Sequence, residues 1–348
     1  MQKTYSTNHK GDIIDTTIYN GSRKYDFQEF VKSILKRGNV KDKFMKPLLT
    51  EEAFEKYGIA LTSASANPVD NCEFYEIAGD VLANKIIVCY MCKRFPQLKC
   101  SECVKVIARL KINYGSCQTF QRFAEKLGFW PFISATEDAR SRLKKKLLED
   151  SFEAFLGVTE IILDDAFGMV GVGYNVVYDI LASVFDEEVI SLKYDALYDP
   201  KTRLKQIFDM KEYRDNLGKE PRYDDKFVGP DGIRYVRIVG FIVPVYQQFY
   251  QNGQRIEARF GGNKKYFKGK INGINPNGTY NIMYDDGERE RFVNADMIRM
   301  GESAGYEIAR VPIVGGIKDS EQKAALTAIN YLKTIGYMEV IPEIYSRL

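Results

Sequence analysis

The first half of the chain carries apolar residues at helical spacing, and only short polar breaks separate the apolar stretches. The run YEIAGDVLANKIIVCY over residues 75–90 has this spacing, and Pro96 stands just beyond its end, so it predicts a helix. Further helices are predicted over residues 101–110, 116–127, 137–163 and 173–185. The pattern predicts an all-α domain over residues 25–190, preceded by a flexible polar segment over residues 1–24.

The second half changes to the patterning of β-strands. The run RYVRIVGFIVPVY over residues 234–246 predicts the clearest strand. A helix, a strand and a second helix are predicted over residues 201–217, 306–311 and 320–334. Between residues 253 and 301, the short runs IEARF, YFKGKING, TYNIMY and ERFV are separated by Gly-Gly, Asn-Gly and Asp-Gly turns. Such closely spaced short strands predict a small all-β barrel.

Composition and charge exclude several classes of function. The 348 residues include 50 Lys and Arg against 47 Asp and Glu, so any nucleic-acid-binding surface must be local. The only histidine is His9, which argues against Ser-His-Asp and Cys-His hydrolases and against histidine-ligated metals. No apolar run reaches the length of about 18 residues that a membrane span needs. Six cysteines without a secretion signal predict reduced thiols in the cytoplasm, with the nucleus as the alternative.

Two pairs of carboxylates stand at helical spacing inside apolar sequence. Glu76 and Asp80 are four residues apart, and Asp150 and Glu153 are three apart, so each pair shares one face of its helix. Four carboxylates in one small volume form the oxygen-rich site that Mg²⁺ prefers, and metal-activated water would replace histidine chemistry. The alternative is that both pairs are solvated helix faces. The apolar neighbours favour the metal site, because a carboxylate among core residues is costly unless it is paired or binds a metal.

The segments that carry these carboxylates resemble two motifs of the ribonuclease III family. Residues 60–80, ALTSASANPVDNCEFYEIAGD, are similar to A-L-T-x-x-S followed by N-x-E-x-x-E-x-x-G-D. Residues 146–157, KLLEDSFEAFLG, are similar to K-x-L-A-D-x-F-E-A-x-x-G. The resemblance extends roughly over residues 60–185. It implies an all-α ribonuclease III domain that hydrolyses double-stranded RNA with Mg²⁺, or with Mn²⁺ in its place.

The same resemblance implies a role for each matching residue. Asp80 and Glu153 would be catalytic, and Lys146 would approach the scissile phosphate. The metal ligands would be Glu76, Asp80, Asp150 and Glu153. Members of the family dimerise through the helix of the first motif, so a homodimer is implied. Ile77 and Ala78 replace a common Phe-Leu pair, but this departure removes no ligand.

Two further segments resemble a double-stranded-RNA-binding domain. DPKTRLKQIFDM over residues 199–210 is similar to its first helix, and GGIKDSEQKAALTAINYLKTIG over residues 315–336 is similar to its last. The resemblance implies an α+β domain in two parts, over residues 199–250 and 304–345. The implied RNA contacts are Gly229, Pro230, Lys318 and Lys323. Gly232 replaces the usual loop histidine and Ile317 replaces a lysine, which implies reduced RNA affinity. The alternative is a closed domain used for packing or protein contacts.

The segment over residues 253–301 resembles a Tudor-like barrel inserted into that domain, and YDDGE over residues 284–288 is its strongest element. The resemblance implies a methylated-peptide ligand held in an aromatic cage by cation–π contacts. The implied cage residues are Phe260, Phe267, Tyr284 and Asp286. The alternatives are that these aromatic residues form the core of the barrel, and that its lysines contact RNA phosphates. Those lysines are Lys264, Lys265, Lys268 and Lys270.

Four cysteines form a C-x2-C pair, a seven-residue gap and a second C-x2-C pair. They are Cys89, Cys92, Cys100 and Cys103. A structural zinc is one interpretation. The gap is short for zinc, and the first pair falls in a predicted helix, where such thiols pack as small apolar groups. For the whole chain, the alternatives to a nuclease are a non-catalytic protein that sequesters double-stranded RNA and a Tudor-type adaptor.

Overall fold

The computed structural model describes residues 4–7, 13–240, 250–263, 265–300 and 306–348. His9, Lys264 and the end of the predicted strand over residues 241–246 lie outside the described residues. The chain divides into two compact units, Met1–Leu192 with Leu348, and Lys193–Arg347. Throughout the described ranges, helices lack the combination of length and apolar character that a membrane crossing requires.

The first unit is mainly helical. Its helices are α1 (Tyr25–Arg37), α2 (Asp42–Leu48), α3 (Glu51–Ala60), α4 (Glu73–Arg94), α5 (Val104–Tyr114), α6 (Cys117–Lys126), α7 (Glu137–Arg142), α8 (Lys144–Phe167) and α9 (Val172–Phe185). Short strands form two small antiparallel sheets, β1 (Tyr5–Thr7) with β2 (Ile13–Asp15), and β3 (Ile18–Tyr19) with β4 (Ala135–Thr136). The predicted helical domain is confirmed. Strands β1, β2 and β3 lie ahead of it, within residues 1–24, and only the two-residue strand β4 lies inside it. Strands of two or three residues are too short to show an alternating pattern.

Two predicted helices are in fact each divided into two. The helix predicted over residues 137–163 breaks at Leu143, where φ is −115° and ψ is 22°. The helix predicted over residues 201–217 ends at Asp209 and resumes at Arg214. In the first case the local sequence EDARSRLKKK is almost entirely polar, so apolar periodicity cannot locate a break there.

Helix α8 runs through the centre of the first unit. Almost every residue of its middle section is buried, including Phe152, Phe155 and Leu156. The ring of Phe152 packs against those of Phe120 and Phe129, at centroid distances of 5.5 and 5.8 Å. Because this middle section is buried on all sides, it carries the carboxylates of Asp150 and Glu153 into the interior, whereas Asp165 near the end of the helix is exposed.

The second unit contains two separate cores. Its elements are α10 (Tyr194–Leu197), α11 (Pro200–Asp209), α12 (Arg214–Leu217), β5 (Arg222–Val228), β6 (Arg234–Gly240), β7 (Arg255–Arg259), β8 (Tyr266–Ile274), β9 (Tyr280–Tyr284), β10 (Arg289–Val293), β11 (Ile298–Met300), β12 (Tyr306–Pro312), α13 (Ile317–Thr334) and α14 (Ile344–Arg347). The antiparallel sheet in the order β12-β6-β5 shares one core with α11 and α13. Leu204, Val236, Ile238 and Ala325 are fully buried in that core.

The other core belongs to an antiparallel sheet in the order β10-β9-β8-β7-β11. Ile256, Ile271, Tyr280 and Ile282 are buried in it. The strands predicted from the short aromatic-rich runs are confirmed. Among the described residues the edge strands β10 and β11 do not pair with each other, so closure into a barrel stays a prediction. The chain is therefore a helical unit followed by a region rich in β-structure.

Candidate active site

Two glycines allow α4 and α8 to cross with their backbones in contact. A Cβ atom added to Gly79 would lie 1.8 Å from the carbonyl oxygen of Glu153. A Cβ atom added to Gly157 would lie 2.3 Å from the carbonyl oxygen of Tyr75. Real Cβ atoms do not approach backbone atoms so closely, so both positions require glycine despite its cost inside a helix. The crossing brings the acidic face of α4 against the acidic face of α8.

Three of the four predicted ligands converge at this crossing. One carboxylate oxygen from each of Glu76, Asp150 and Glu153 lies within 4.8 Å of the other two. Glu153 is only 6% exposed and Asp150 only 9%. In the part of the chain that the structure describes, this is the single group of three or more acidic, cysteine or histidine side chains placed to hold a metal ion. A donor set made only of carboxylates suits a hard divalent cation.

The electrostatics of the group also favour a cation. Burial raises the pKa of Glu153 to about 8, and the negative charge of Asp80 adds to the effect. Burial likewise raises the pKa values of Glu76 and Asp150, although Lys146 opposes the shift in both. A cation among these oxygens would favour their ionised forms, because opposite charges stabilise each other at close range. The residues therefore fit Mg²⁺ or Mn²⁺.

Lys146 stands at the edge of the acidic group. Its Nζ atom lies 2.8 Å from Oδ1 of Asp150 and 3.6 Å from Oε1 of Glu76. The hydrogen bond to Asp150 raises the pKa of Lys146, so the ammonium stays charged. Its side chain is 61% exposed, so it remains accessible to an anionic group arriving from solvent.

Asp80 lies beside the group of three but is not part of it. Its Oδ1 atom accepts a hydrogen bond from Nδ2 of Asn84 at 2.7 Å. Sequence reasoning missed Asn84, although a polar residue four positions after an acidic one on a helix is placed to contact it. The roles of the four carboxylates and Lys146 in catalysis stay predictions.

The predicted RNA contacts lie on the second unit. Gly229 is buried and Pro230 is exposed in the turn between β5 and β6, where Gly232 has a φ of 75°. Lys318 and Lys323 are exposed on the first turns of α13. These positions do not test contact with RNA, so the RNA-binding role of the four residues stays a prediction.

The predicted cage residues cluster around Tyr284. The ring of Phe260 lies 5.3 Å from that of Tyr284 and the ring of Phe267 lies 6.5 Å from it, both nearly perpendicular. Tyr284 is only 3% exposed, and its hydroxyl donates to Glu290 at 2.7 Å. Asp286 is exposed in the following turn. Tyr284 thus contributes to the core of the sheet, and the binding role of the cluster stays a prediction.

The four clustered cysteines are divided between two elements. Cys89 and Cys92 lie in α4, whereas Cys100 precedes and Cys103 ends a 3-10 turn before α5. Within the described residues they do not form a group of three donor atoms at metal-binding distance. The structure therefore gives no support to the zinc interpretation.

Comparison with known proteins places the chain in a family. A sequence model of the Ribonuclease III domain matches residues 73–162. A protein of Invertebrate iridescent virus 6 assigned as ribonuclease 3 is 41% identical over 221 residues, which cover 60% of this chain and 74% of that protein. A protein of Frog virus 3 (isolate Goorha) with the same assignment is 42% identical over 189 residues, or 54% of this chain and 50% of that one. The chain belongs to the ribonuclease III family, and it is an endoribonuclease of that type.

More distant relatives carry the same name or domain. Ribonuclease 3 of Aliarcobacter butzleri is 33% identical over 152 residues, which cover 42% of this chain and 62% of that protein. Among solved structures, the nuclease domain of ribonuclease III from Campylobacter jejuni is similar to 47% of this chain over 99% of its own length. That similarity has 20% identity and a TM-score of 0.35.

Proposed function

We propose that this endoribonuclease cleaves double-stranded RNA in a reaction that depends on Mg²⁺, with Mn²⁺ as a substitute. The observation that carries the proposal is the group formed at the glycine crossing by the half-buried Glu76 and the buried Asp150 and Glu153. Buried carboxylates with raised pKa values destabilise a fold unless a cation binds them. Because the chain belongs to the ribonuclease III family, the bond that it cleaves would be a phosphodiester of RNA.

The side chains at the crossing would divide the work. Glu76, Asp150 and Glu153 would hold the cations. Asp80, positioned by its hydrogen bond from Asn84, would be the fourth ligand. Bound divalent cations supply charge neutralisation at the phosphodiester and activation of the attacking water. Lys146 would donate a hydrogen bond to a phosphate oxygen and orient the scissile bond. Its exposed ammonium beside Asp150 supports this role.

The direct test compares three substrates of one sequence in the presence and absence of metal: the RNA duplex, the single RNA strand and the matching DNA duplex. We expect the wild-type chain with Mg²⁺ to cut long double-stranded RNA into short duplexes, and to leave the single strand and the matching DNA duplex intact. Removal of divalent ions with EDTA should stop the reaction, and added Mg²⁺ or Mn²⁺ should restore it. Binding of the RNA duplex without cleavage at any metal concentration would instead support the non-catalytic, RNA-sequestering alternative.

We further propose that a second copy of the chain packs on α4. Phe74, Ile77 and Val81 are 68%, 69% and 66% exposed and follow one another at helical spacing. Such large apolar side chains on one helix face are costly in water and typical of an interface. The same helix carries Glu76 and Asp80, so dimerisation would place two cleavage sites in one particle.

Ile77→Asp is expected to convert the dimer to a monomer, because it places a charge at the centre of the apolar stripe. Light scattering after gel filtration should give twice the 39.9 kDa chain mass for the wild type and the single chain mass for the variant. Val189→Asp is the matched control, because Val189 is 94% exposed outside the stripe and should leave the dimer intact. A monomeric wild-type chain would exclude this interface.

The second unit is proposed to hold the RNA duplex. Its order of helix, three-stranded sheet and helix, with Lys318 and Lys323 exposed at the start of α13, supports this role. Such a domain would contact phosphates and 2′-hydroxyls across the minor groove without reading base sequence.

Replacing both Lys318 and Lys323 with glutamate is expected to weaken duplex binding by about tenfold. The slope of the logarithm of the binding constant against the logarithm of salt concentration should fall by the equivalent of about two phosphate contacts. Fluorescence anisotropy with labelled RNA, in a cleavage-deficient background, would measure both quantities. Lys333→Glu, in the last turn of the same helix, is the control for a general charge effect. Equal losses in the control and the double variant would place the RNA elsewhere.

A further inference from the structure

The second pair of the cysteine motif is built differently from the first. Cys100 directly precedes a 3-10 turn (Ser101–Cys103) that ends at Cys103 and leads directly into α5. The backbone N–H of Cys103 donates to the carbonyl oxygen of Cys100 at 3.2 Å. A turn closed in this way brings its end Cα atoms within about 7 Å. A disulfide bridges Cα atoms about 4.4 to 6.8 Å apart, so the backbone of this turn suits one.

The two side chains converge as well. The Sγ atoms of Cys100 and Cys103 lie 3.8 and 3.7 Å from one and the same acceptor, the carbonyl oxygen of Gln97. The thiols are also within hydrogen-bonding reach of each other. Two sulfurs directed at a single oxygen atom occupy a volume small enough for an S–S bond to form with little backbone movement.

The two thiols differ in exposure. Cys100 is exposed, whereas Cys103 is 1% exposed. Burial raises the pKa of the Cys103 thiol to about 11, which keeps it protonated and unreactive toward dissolved reagents. A reagent from solution therefore meets Cys100 first, and Cys103 reacts only with the sulfur beside it.

Cys89 and Cys92 have the same spacing but another environment. Both lie within α4, and the thiol of Cys89 hydrogen-bonds to the hydroxyl of Tyr174. Among the described residues, this pair has no shared acceptor comparable to the carbonyl oxygen of Gln97 in the other pair. It is therefore a matched control for the effect of spacing alone.

We propose that Cys100 and Cys103 form a thiol–disulfide exchange site whose reactant is a low-molecular-weight disulfide. The thiolate of Cys100 attacks one sulfur of that disulfide, forms a mixed disulfide and releases one small thiolate, which takes up a proton. Cys103 then attacks the Cys100 sulfur, and the proton of its thiol passes to the departing small thiolate, which leaves as the second small thiol. Two protein thiols are oxidised to one disulfide, and one small disulfide is reduced to two thiols.

The test uses the full chain in mixtures of reduced and oxidised glutathione. After the free thiols are blocked with N-ethylmaleimide, trypsin releases residues 100–105 and residues 86–93 as separate peptides, each with one cysteine pair. At glutathione ratios where the reaction is incomplete, we expect the disulfide to be at least tenfold more abundant in the 100–105 peptide. Equal or lower abundance than in the 86–93 peptide would overturn the proposal.

Two variants identify the order of the steps. Cys103→Ser should leave Cys100 trapped as a stable mixed disulfide with glutathione, because no resolving thiol remains. Cys100→Ser should leave Cys103 unmodified, since its burial excludes the reagent. Circular dichroism establishes that each variant is folded. Glutathione that remains on Cys100 of the wild-type chain, without transfer to Cys103, would also overturn the proposal, and this outcome needs no variant.

Discussion

Glu153→Gln is expected to reduce cleavage of double-stranded RNA by about a thousandfold, which corresponds to about 4 kcal/mol of transition-state stabilisation. Glu153 is 6% exposed, and its carboxylate shares the group with Glu76 and Asp150. Glutamine has the same shape, so it removes the charge that would hold a cation without opening a cavity. Single-turnover cleavage at saturating Mg²⁺ would measure the loss, and RNA affinity should change by no more than about threefold.

The charge-matched comparison is Glu149→Gln, which removes the same charge from another position of the same helix. Glu149 lies one turn before Glu153 and outside the group of three, so its loss should reduce cleavage far less. Isothermal titration with Mg²⁺ gives a readout that is independent of catalysis, and Glu153→Gln should abolish the tightest binding event. Full activity of Glu153→Gln would contradict the proposed metal site.

Glu153→Gln is also expected to raise the melting temperature of the metal-free chain by a few degrees at pH 8, but not at pH 4. The pKa of Glu153 is about 8 in the folded chain and about 4.3 when unfolded. Between these values the unfolded carboxylate loses its proton first, so stability falls as pH rises through the window. Glutamine does not titrate and escapes this penalty. Thermal unfolding in EDTA at both pH values would measure the difference.

The sequence could predict the two acidic helix faces of the site, but not the contact between the two helices that brings these faces together. Helical spacing is a local property, so it predicts that Glu76 and Asp80 share one face and that Asp150 and Glu153 share another. That the faces meet depends on Gly79 and its contact with α8, which is a tertiary contact. Only the family resemblance indicated it. The position of Asp80 depends in turn on the Asn84 side chain, which neither motif specifies.

The fold shows the same division between local and tertiary information. Apolar periodicity predicts α4 within a few residues at each end, because the helix has a long periodic stretch. It fails at Leu143, where α7 ends and α8 begins. The surrounding residues are polar, so they carry no apolar pattern that would distinguish a continuous helix from a broken one. It also misses the pairing of Ile18 with Thr136, since a two-residue strand carries no period.

Gly79→Ala is expected to lower the free energy of unfolding by about 3 kcal/mol and to reduce cleavage by about a hundredfold. The added Cβ atom would lie 1.8 Å from the carbonyl oxygen of Glu153, which belongs to the backbone of α8 and cannot rotate away. The helices must separate, and the carboxylates of Glu76 and Glu153 then move apart. Urea denaturation and single-turnover cleavage would measure the two effects.

Gly58→Ala is the control for adding a methyl group to a helical glycine. Its Cβ atom would lie 3.2 Å from Nε of Arg23. This contact is with a side chain held by hydrogen bonds to Phe132, Gly58 and Ser134, and it demands a far smaller shift than the 1.8 Å contact of Gly79 with backbone. Stability should therefore change by no more than about 1 kcal/mol, because alanine also favours the helix. If Gly79→Ala were as stable and active as Gly58→Ala, then α4 and α8 would not be in backbone contact. The close crossing would then not be what gathers the carboxylates.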